Sequence, residues 1–431
     1  MSFKLDLKKI VVDVAWWGGV IGLLILSQIR NEYFLFLVQK TRLSYFFAQT
    51  FLQENAITIA TIITPIRGIV FLCSVTALVF PIIQSIRKSE FVGHTHFKGS
   101  HILQVIFLFI ILCVLFMPGE INGLAEEYAN TSLVMFTRVS TVSYHQRFLM
   151  PALANILFFR GSLFFLIFSF ICTLLSIFLL RLWFVANQIS VSTWQLVSLG
   201  TISFINFQIQ TPGYPDVLVN IFILLAFTFK LDTKAKLSLF VLSLASHEAG
   251  IFIWFALAFL LFDVKGFAQF LIICMIYILL FLAANDGISD LLAMRQVGET
   301  SNLMWIMNYP AREIQGIFFG LRGLWGIVIG AIVFLYTQKN FKEVFQILVI
   351  LLTGVLLTFL AVDTSRLFGW TFMAVLISWK ILERAEGAWK KLINIALIAN
   401  FLIPPVNVLL IMNPYIPYGL YQYIINSLFG Y

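Results

Sequence analysis

The sequence predicts an all-α, polytopic membrane protein, and three observations support this fold class. Of the 431 residues, 61% are hydrophobic and 11% are charged, whereas soluble domains have about 45–50% and about 25%. The mean hydropathy is +0.97. Apolar runs approaching the ~20 residues of a spanning helix recur along the chain, which favours helices over a barrel. This composition excludes a disordered chain, a coiled coil and a nucleic-acid-binding module.

The predicted crossings and interfacial segments follow from these runs. The runs that can cross a bilayer are 10–29, 56–84, 102–117, 162–185, 193–210, 216–230, 236–262, 266–284, 317–337, 343–362, 366–384 and 389–412. Residues 31–55 and 417–430 are apolar but interrupted, and we interpret them as interfacial helices. Since neither an internal repeat nor a linker is visible, the sequence predicts a single transmembrane domain over residues 1–431.

Lysine marks the predicted cytoplasmic side of the chain. The lysines near the start place the N-terminus inside the cell by the positive-inside rule, and we expect the protein in the inner cell membrane. Of the cations that this topology places outside, Lys40 is a lysine and the others are arginines. Arginine suits the bidentate recognition of phosphate, although it can equally pair with acidic residues on the outer face.

A hinge inside the run 236–262 is needed to keep the later lysine clusters inside. If this run enters and returns as two half-helices, hinged near residues 246–250, the clusters at 339–342 and 380–391 both face the cytoplasm. Half-helices of this kind can line a wet cavity. The chain then has about 11 full crossings plus a re-entrant pair. The alternative is a single tilted span together with one misplaced crossing.

Four polar constellations border or interrupt the apolar runs, and the topology predicts all of them on the outer side. A charge in such a place costs several kcal/mol unless it is paired or hydrated, so each is a candidate functional site. They are the loop 118–150, the turn 211–216, the segment 246–250 and the segment 363–366. The outer loop 285–316 adds Arg312 as a further candidate phosphate contact. Arg322, inside the run 317–337, is expected to need an anion or carboxylate partner.

The first two constellations supply candidate acid–base groups. Glu126 or Glu127 can act as the general base on a sugar hydroxyl, while Arg147 holds a phosphate leaving group. An ordinary solvated loop is the alternative interpretation. Asp216 follows a turn that two prolines and a glycine fix, where it can take part in catalysis or merely cap the following helix.

The last two constellations place charges within apolar surroundings. His247 and Glu248 are not part of a zinc-binding HExxH motif, because the position four beyond His247 is Ile251. The pair is predicted to line a polar cavity, with a satisfied core pair as the alternative. Asp363 and Arg366 stand three residues apart and can pair on one helical turn. They form either a structural clasp or a phosphate contact in which Asp363 positions Arg366.

The order of these motifs resembles the GT-C superfamily of polyprenyl-phosphate-sugar glycosyltransferases, including exopolysaccharide-polymerase-like members. The resemblance covers roughly residues 118–370. It rests on an acidic outer loop followed by Tyr-x-x-Arg-Phe-Leu-x-Pro at 144–151, Pro-Asp at 215–216, Ser-His-Glu-x-Gly at 246–250 and Asp-Thr-Ser-Arg at 363–366.

The resemblance implies a catalytic base in the early outer loop and a donor phosphate held among basic residues. In this chain the base would be Glu126 or Glu127, and the phosphate contacts would be Arg147 and Arg366. The chain departs from the family because this loop contains no aspartate. More than one predicted crossing and an interfacial segment also precede the loop, where one crossing is usual.

These features predict a membrane glycosyltransferase that moves a sugar from a lipid-phosphate-linked donor to a glycan or lipid acceptor at the outer face. The sequence contains neither a P-loop nor a Rossmann glycine pattern, so a nucleotide is not indicated. A divalent metal remains open as a cofactor, because acidic residues cluster on the predicted outer side. The alternatives are a transporter or flippase of lipid-linked sugars and a non-catalytic subunit of an envelope polysaccharide assembly complex.

Overall fold

A computed structural model describes residues 7–26, 56–89, 99–121, 123–136, 147–284, 296–297, 300–359, 363–385, 387–408, 414–416 and 419–429. These residues are helical apart from the connecting segments and a two-residue antiparallel ladder, in which Gln296–Val297 (β1) pairs with Thr300–Ser301 (β2). The predicted interfacial segment 31–55 lies outside the described residues. The all-α class predicted from composition is therefore confirmed for the part of the chain that is described.

The helices of the first half are α1 (Leu7–Leu26), α2 (Ala56–Lys88), α3 (Gly99–Leu115), α4 (Leu124–Val134), α5 (Leu149–Ile156), α6 (Gly161–Ala186), α7 (Thr193–Gly200), α8 (Ser203–Gln210), α9 (Asp216–Thr228) and α10 (Thr233–Ser246). Those of the second half are α11 (Gly250–Leu261), α12 (Val264–Ala284), α13 (Asn302–Asn308), α14 (Pro310–Leu321), α15 (Trp325–Thr337), α16 (Phe341–Thr358), α17 (Thr364–Gly369), α18 (Phe372–Arg384), α19 (Ala388–Leu402) and α20 (Leu420–Phe429). A 3-10 turn, Arg322–Leu324, joins α14 to α15.

Within the described part of the chain, four helical stretches are long and apolar enough to cross a membrane. They are Thr64–Lys88, Gly161–Ala186, Pro310–Thr337 and Phe341–Thr358. Several shorter apolar helices, such as α9 and α11, accompany them. These lengths support a membrane protein with helical spans, while the predicted number of crossings goes beyond what they establish.

Several segments differ from the sequence-based expectation. The run 366–384 divides into α17 and α18 at residues 370–371, and the helix of the run 389–412 ends at Leu402. The run 193–210 was expected to be one span, but it divides into α7 and α8 because Ile202 leaves the helical region with φ −77° and ψ 162°. The loop 118–150 contains α4 and the start of α5, and the loop 285–316 contains α13 and the start of α14. Pro310 at the first helical position starts α14 earlier than hydropathy alone indicated.

The break predicted near residues 246–250 is present and separates α10 from α11. His247 has φ −156° and ψ 120°, which ends α10, and α11 begins at Gly250. The far ends of the two helices lie together, since the Lys236 ammonium donates to the Leu261 carbonyl at 2.8 Å. We call α10 and α11 the broken hairpin. Its tip is at residues 247–249, about 21 Å from the start of α10, which has 14 residues.

The other end of the broken hairpin gathers residues that the topology assigns to the cytoplasmic side. Asp232 accepts the Ala235 amide and so caps α10. Lys234 lies over the Trp16 ring at 4.0 Å, and Gln269 on α12 donates to Asp13 on α1 at 3.0 Å. A cavity of about 400 Å³ lies among these residues. Parts of three segments, near residues 13–16, 232–237 and 263–269, thus meet at this end of the hairpin, and the tip lies at the other end.

The buried guanidinium of Arg322 makes hydrogen bonds that the sequence did not indicate. Its guanidinium donates to the Ile403 carbonyl at 2.9 Å and to the Thr201 carbonyl at 2.8 Å. Thr201 and Ile403 are the C-caps of α7 and α19, so the cation meets the partial negative charge of two helix C-termini. Carbonyl groups at helix ends thus serve as partners of this cation, in addition to the anion or carboxylate that the sequence led us to expect.

Candidate functional site

Residues from all four predicted constellations meet at the tip of the broken hairpin. We call Arg147, Asp216, Glu248, Asp363 and Arg366 the charged cluster. Arg147 and Glu248 form a bidentate pair, with Nε donating to Oε2 at 2.8 Å and Nη2 donating to Oε1 at 2.6 Å. This pair and the remaining three residues lie near enough for their charges to act on one another. Four segments distant in sequence therefore build one site.

Arg366 joins two carboxylates and lies beside two aromatic rings. Its Nε lies 3.5 Å from Asp216 Oδ1, and its Nη1 lies 3.3 Å from Asp363 Oδ2. The guanidinium also stands 5.0 Å from the Phe207 ring and 5.2 Å from the Tyr214 ring, within the range of cation–π attraction. The predicted pairing of Asp363 with Arg366 is present, and Arg366 additionally reaches Asp216.

Asp216 is the most deeply buried carboxylate of the cluster. Its exposed fraction is 0%, and neither of its oxygens accepts a hydrogen bond from any described residue. It is the first residue of α9, where the helix dipole favours a negative charge. Because it accepts no backbone N–H, the interpretation of Asp216 as a capping residue is not supported. Its ionic contact in the structure is with Arg366.

The turn before α9 has a backbone that fixes the position of Asp216. Gly213 has φ +99°, and a Cβ there would lie 2.9 Å from the Ala125 Cβ, so a side chain is excluded both by strain and by contact. The Gly213 amide donates to the Ser169 hydroxyl at 2.7 Å. The turn is thereby hydrogen-bonded to α6 and packs against α4.

His247 and Glu248 lie side by side at the hairpin tip, but their hydrogen-bond partners differ. Both oxygens of Glu248 bind Arg147, while His247 Nδ1 is 3.6 Å from Glu248 Oε2. His247 Nδ1 instead accepts the Ala249 amide at 3.2 Å, and its ring packs edge-on against Trp370 at 5.0 Å. The imidazole is fully buried. It shapes the backbone of the hairpin tip and also borders the charged cluster.

Glu126 and Glu127 lie in the first turn of α4. Glu126 is exposed, and Glu127 is half-buried with one buried oxygen that has no hydrogen-bond partner among the described residues. The α4 side chain nearest to the cluster is Tyr128. Burial raises the pKa of the Tyr128 hydroxyl, and the neighbouring Arg147 partly opposes this shift. The structure thus brings a tyrosine from this helix to Arg147.

Arg312 is half-buried near the start of α14, with its guanidinium 4.3 Å from the Tyr309 ring. It does not belong to the charged cluster.

Burial raises the pKa of Asp363, with Arg366 acting in the opposite direction, and burial also raises the pKa of Tyr214. Tyr128, Tyr214 and Trp370 were not predicted as site residues, because aromatic side chains in an apolar sequence carry no signal that separates them from core or lipid-facing ones.

The cluster contains two arginines and three carboxylates, so ordinary ionisation gives it an excess of one negative charge. An incoming phosphate would meet arginines that already have carboxylate partners. Among the described residues, no group of three His, Cys, Asp or Glu side chains lies close enough to hold a metal ion. The arrangement can accept a proton at a carboxylate and can offer a guanidinium to an anion once its pairing loosens.

The fold and the site define an all-helical protein with several helices able to span a membrane and a buried charged cluster at the tip of a broken helix pair. In comparisons with known proteins, no family model, no curated protein and no solved structure matches this chain. The chemistry of the cluster is therefore the basis for any functional conclusion.

Proposed function

We propose that this chain is a polytopic, GT-C-like glycosyltransferase of the inner cell membrane, with about 11 crossings and a cytoplasmic N-terminus. It would transfer a sugar from a lipid-phosphate-linked donor to a glycan or lipid acceptor at the outer face. The observation that carries the proposal is the convergence of Arg147, Asp216, Glu248 and Arg366 in one buried cluster. Buried charges in spanning proteins are expensive and typically functional.

Asp216 is the carboxylate best suited to act as the general base. Glu248 has both oxygens engaged by Arg147, whereas Asp216 has two oxygens that accept no hydrogen bond from the described residues. In the transfer, the acceptor oxygen attacks the anomeric carbon and the bond from that carbon to the phosphate oxygen breaks. The acceptor proton passes to Asp216, and the lipid phosphate leaves with the bonding electrons.

Arg366 is the arginine best suited to the leaving phosphate. Arg147 is committed to Glu248 in two charge-assisted hydrogen bonds, whereas the separations of Arg366 from its carboxylates are 3.3 and 3.5 Å. A planar guanidinium can exchange these looser contacts for a bidentate phosphate contact. When Asp216 takes up the proton it loses its negative charge, so its attraction for Arg366 weakens. Arg366 can then contact the phosphate, on which negative charge develops.

Transport of a lipid-linked sugar is the second candidate function, and the broken hairpin favours it. Discontinuous helices with polar groups at the break form the binding sites of many transporters. Here the break at residues 247–249 adjoins the charged cluster. In this case Arg366 and Asp216 would bind a headgroup, and no bond to the sugar would be broken.

The two functions separate in vesicles that contain the purified full-length chain. The probe is a radiolabelled hexose on a short polyprenyl phosphate, supplied with a mixed glycan acceptor. We expect label in the acceptor and release of polyprenyl phosphate, both lost in Asp216→Asn and kept in the matched variant Asp263→Asn at the opposite end of the hairpin. Label that crosses the bilayer while still attached to the lipid would support the transporter, and absence of both reactions would contradict both candidates.

A further inference from the structure

A buried carboxyl group outside the charged cluster lies at the contact between α14 and α16. Glu313, on α14, has an exposed fraction of 6%, and Thr358, the last residue of α16, is fully buried. The Thr358 hydroxyl contacts Glu313 Oε1, and it is also 2.6 Å from the Val355 carbonyl. The other carboxyl oxygen of Glu313 is buried without a hydrogen-bond partner among the described residues.

A count of hydrogen atoms indicates the protonation state of this group. The Thr358 hydroxyl has one hydrogen, yet its oxygen lies within hydrogen-bond distance of two acceptor oxygens. If Glu313 is ionised, one of these contacts brings two oxygens together with no hydrogen between them. If Glu313 carries a proton, its hydroxyl donates to Thr358, and Thr358 donates to Val355. In the second arrangement, each of the two oxygen–oxygen contacts contains one hydrogen atom.

Glu313 lies in the first turn of α14, whose dipole favours a negative charge, but two other features of its surroundings disfavour one. The C-terminal end of α16, where Val355 and Thr358 lie, carries partial negative charge from its carbonyl groups. An unpaired carboxylate buried there has a high desolvation cost. Neutralisation by a proton removes both penalties.

The charged groups on the helices packed against α14 are engaged elsewhere or lie far away. On α17, Arg366 and Asp363 belong to the charged cluster. Arg322 on the 3-10 turn donates to carbonyl groups, and α8 and α13 carry no charged residue. Lys342 and Glu343 are at the opposite end of α16, about 22 Å or more from Thr358 at 1.5 Å per residue. On α14 itself, the guanidinium of Arg312 lies 4.3 Å from the Tyr309 ring.

We propose that Glu313 is a proton-binding site within the spanning region: a neutral carboxylic acid at neutral pH that donates to Thr358 at the end of α16. The site is independent of the sugar transfer proposed above, which uses residues of the charged cluster. Its ligand is a proton, and its occupancy holds α14 against α16. Release of the proton would leave two oxygens in contact without a hydrogen and would weaken this helix contact.

Infrared spectroscopy of the purified full-length chain at neutral pH tests the proposal. We expect a carbonyl stretching band of a protonated carboxylic acid that shifts in D₂O, is absent from Glu313→Gln and persists in the matched variant Glu343→Gln. Thr358→Val should move this band to higher frequency, because the acid loses its acceptor. The glutamine amide can donate as the acid does, so Glu313→Gln is expected to fold.

Two results would overturn the proposal. Identical spectra of the wild type and Glu313→Gln in this region would show that Glu313 is ionised. Loss of the band on adding sodium chloride, but not choline chloride, would show that the site binds a metal cation in preference to a proton. Should Glu313→Gln fail to fold, the Thr358→Val spectrum decides: a band that stays at its wild-type frequency contradicts the proposal.

Discussion

Arg147 and Glu248 are 101 residues apart in the chain and form a bidentate ion pair, with donor–acceptor distances of 2.8 and 2.6 Å. The pair joins the segment that leads into α5 to the tip of the broken hairpin. Both side chains are largely buried, so their attraction acts in a medium of low effective dielectric constant. Removing one partner would leave the other as an uncompensated buried charge.

We therefore expect Glu248→Gln to lower the free energy of unfolding by about 3–5 kcal/mol, since Arg147 is left without its carboxylate. The double variant Arg147→Met with Glu248→Leu should recover much of this stability, because the charges are removed together. Thermal unfolding of the three variants in one detergent measures both effects. A Glu248→Gln variant as stable as the wild type would mean that Arg147 finds another anion.

Arg366→Lys should reduce sugar transfer by about 10²-fold or more, although the charge is retained. A lysine ammonium lacks the planar fork by which Arg366 offers separate nitrogens to Asp216 and Asp363, and it loses the guanidinium's contact with the Phe207 and Tyr214 rings. The measurement is the transfer rate at matched protein level. Wild-type activity of the lysine variant would show that Arg366 acts as a positive charge alone.

Asp363→Asn distinguishes a structural clasp from a positioning residue. Asp363 contacts Arg366 at 3.3 Å and lies immediately before α17. If it positions Arg366 for the phosphate, we expect a fall in turnover with little change in the unfolding temperature. A fall in the unfolding temperature with turnover preserved in the remaining folded protein would identify a clasp.

Much of the site could be predicted because charge is rare in this sequence. In an apolar chain each isolated charge is conspicuous, and the lysine distribution favoured a break near His247, which the structure contains. The pairing could not be predicted, since the Arg147 contact with Glu248 spans 101 residues. The adjacent His247 does lie 3.6 Å from Glu248, but both oxygens of Glu248 accept hydrogen bonds from Arg147, which adjacency in sequence could not indicate.

The aromatic residues of the site and the partners of Arg322 could not be predicted from the sequence, because the groups involved are common throughout the chain. Tyr128 and Trp370 are ordinary residues in a chain with 16% aromatic content, so their type carries little information. The guanidinium of Arg322 donates hydrogen bonds to backbone carbonyl groups. Because every residue has a carbonyl group, the sequence does not indicate which ones it will contact. Only the crossing of helix ends in three dimensions reveals which carbonyls lack an intrahelical partner.

Gly316→Ala should destabilise the protein by about 1–3 kcal/mol, because it overpacks the contact between α14 and α17. A Cβ at Gly316 would lie 1.8 Å from the Thr364 hydroxyl oxygen, so α17 must shift, and Arg366 with it. We expect transfer to fall together with stability. The matched variant Gly19→Ala, which has nothing within 4 Å of the new Cβ, should be neutral or slightly stabilising. Equal unfolding temperatures of the two variants would contradict this packing.

Single cysteines in a cysteine-free background test the topology. Position 130 on α4 is exposed near the charged cluster, and position 265 is exposed at the opposite end of the broken hairpin. Position 339 belongs to a lysine cluster expected on the cytoplasmic side. We expect a membrane-impermeant thiol reagent to label 130 in intact cells and to label 265 and 339 after permeabilisation. Labelling of 339 together with 130 in intact cells would contradict the proposed topology.

The identity of the general base is decided by conservative substitution of three carboxylates. The sequence placed the base at Glu126 or Glu127, whereas the geometry favours Asp216, because Glu126 is exposed and Asp216 adjoins Arg366. A positioned base contributes about 10²–10⁴-fold to the rate. We expect Asp216→Asn to lose this factor while Glu126→Gln and Glu127→Gln retain near-normal transfer from a lipid-linked donor.

A further measurement separates loss of the base from loss of structure in Asp216→Asn. Asparagine has nearly the same volume as aspartate and leaves the turn 211–215 unchanged, so donor binding should persist while turnover is lost. Binding of the polyprenyl-phosphate-linked hexose to the variant, measured by protection against thermal unfolding, checks this. If Asp216→Asn transfers sugar normally and Glu127→Gln does not, the base lies on α4, where one oxygen of Glu127 is buried without a hydrogen-bond partner among the described residues.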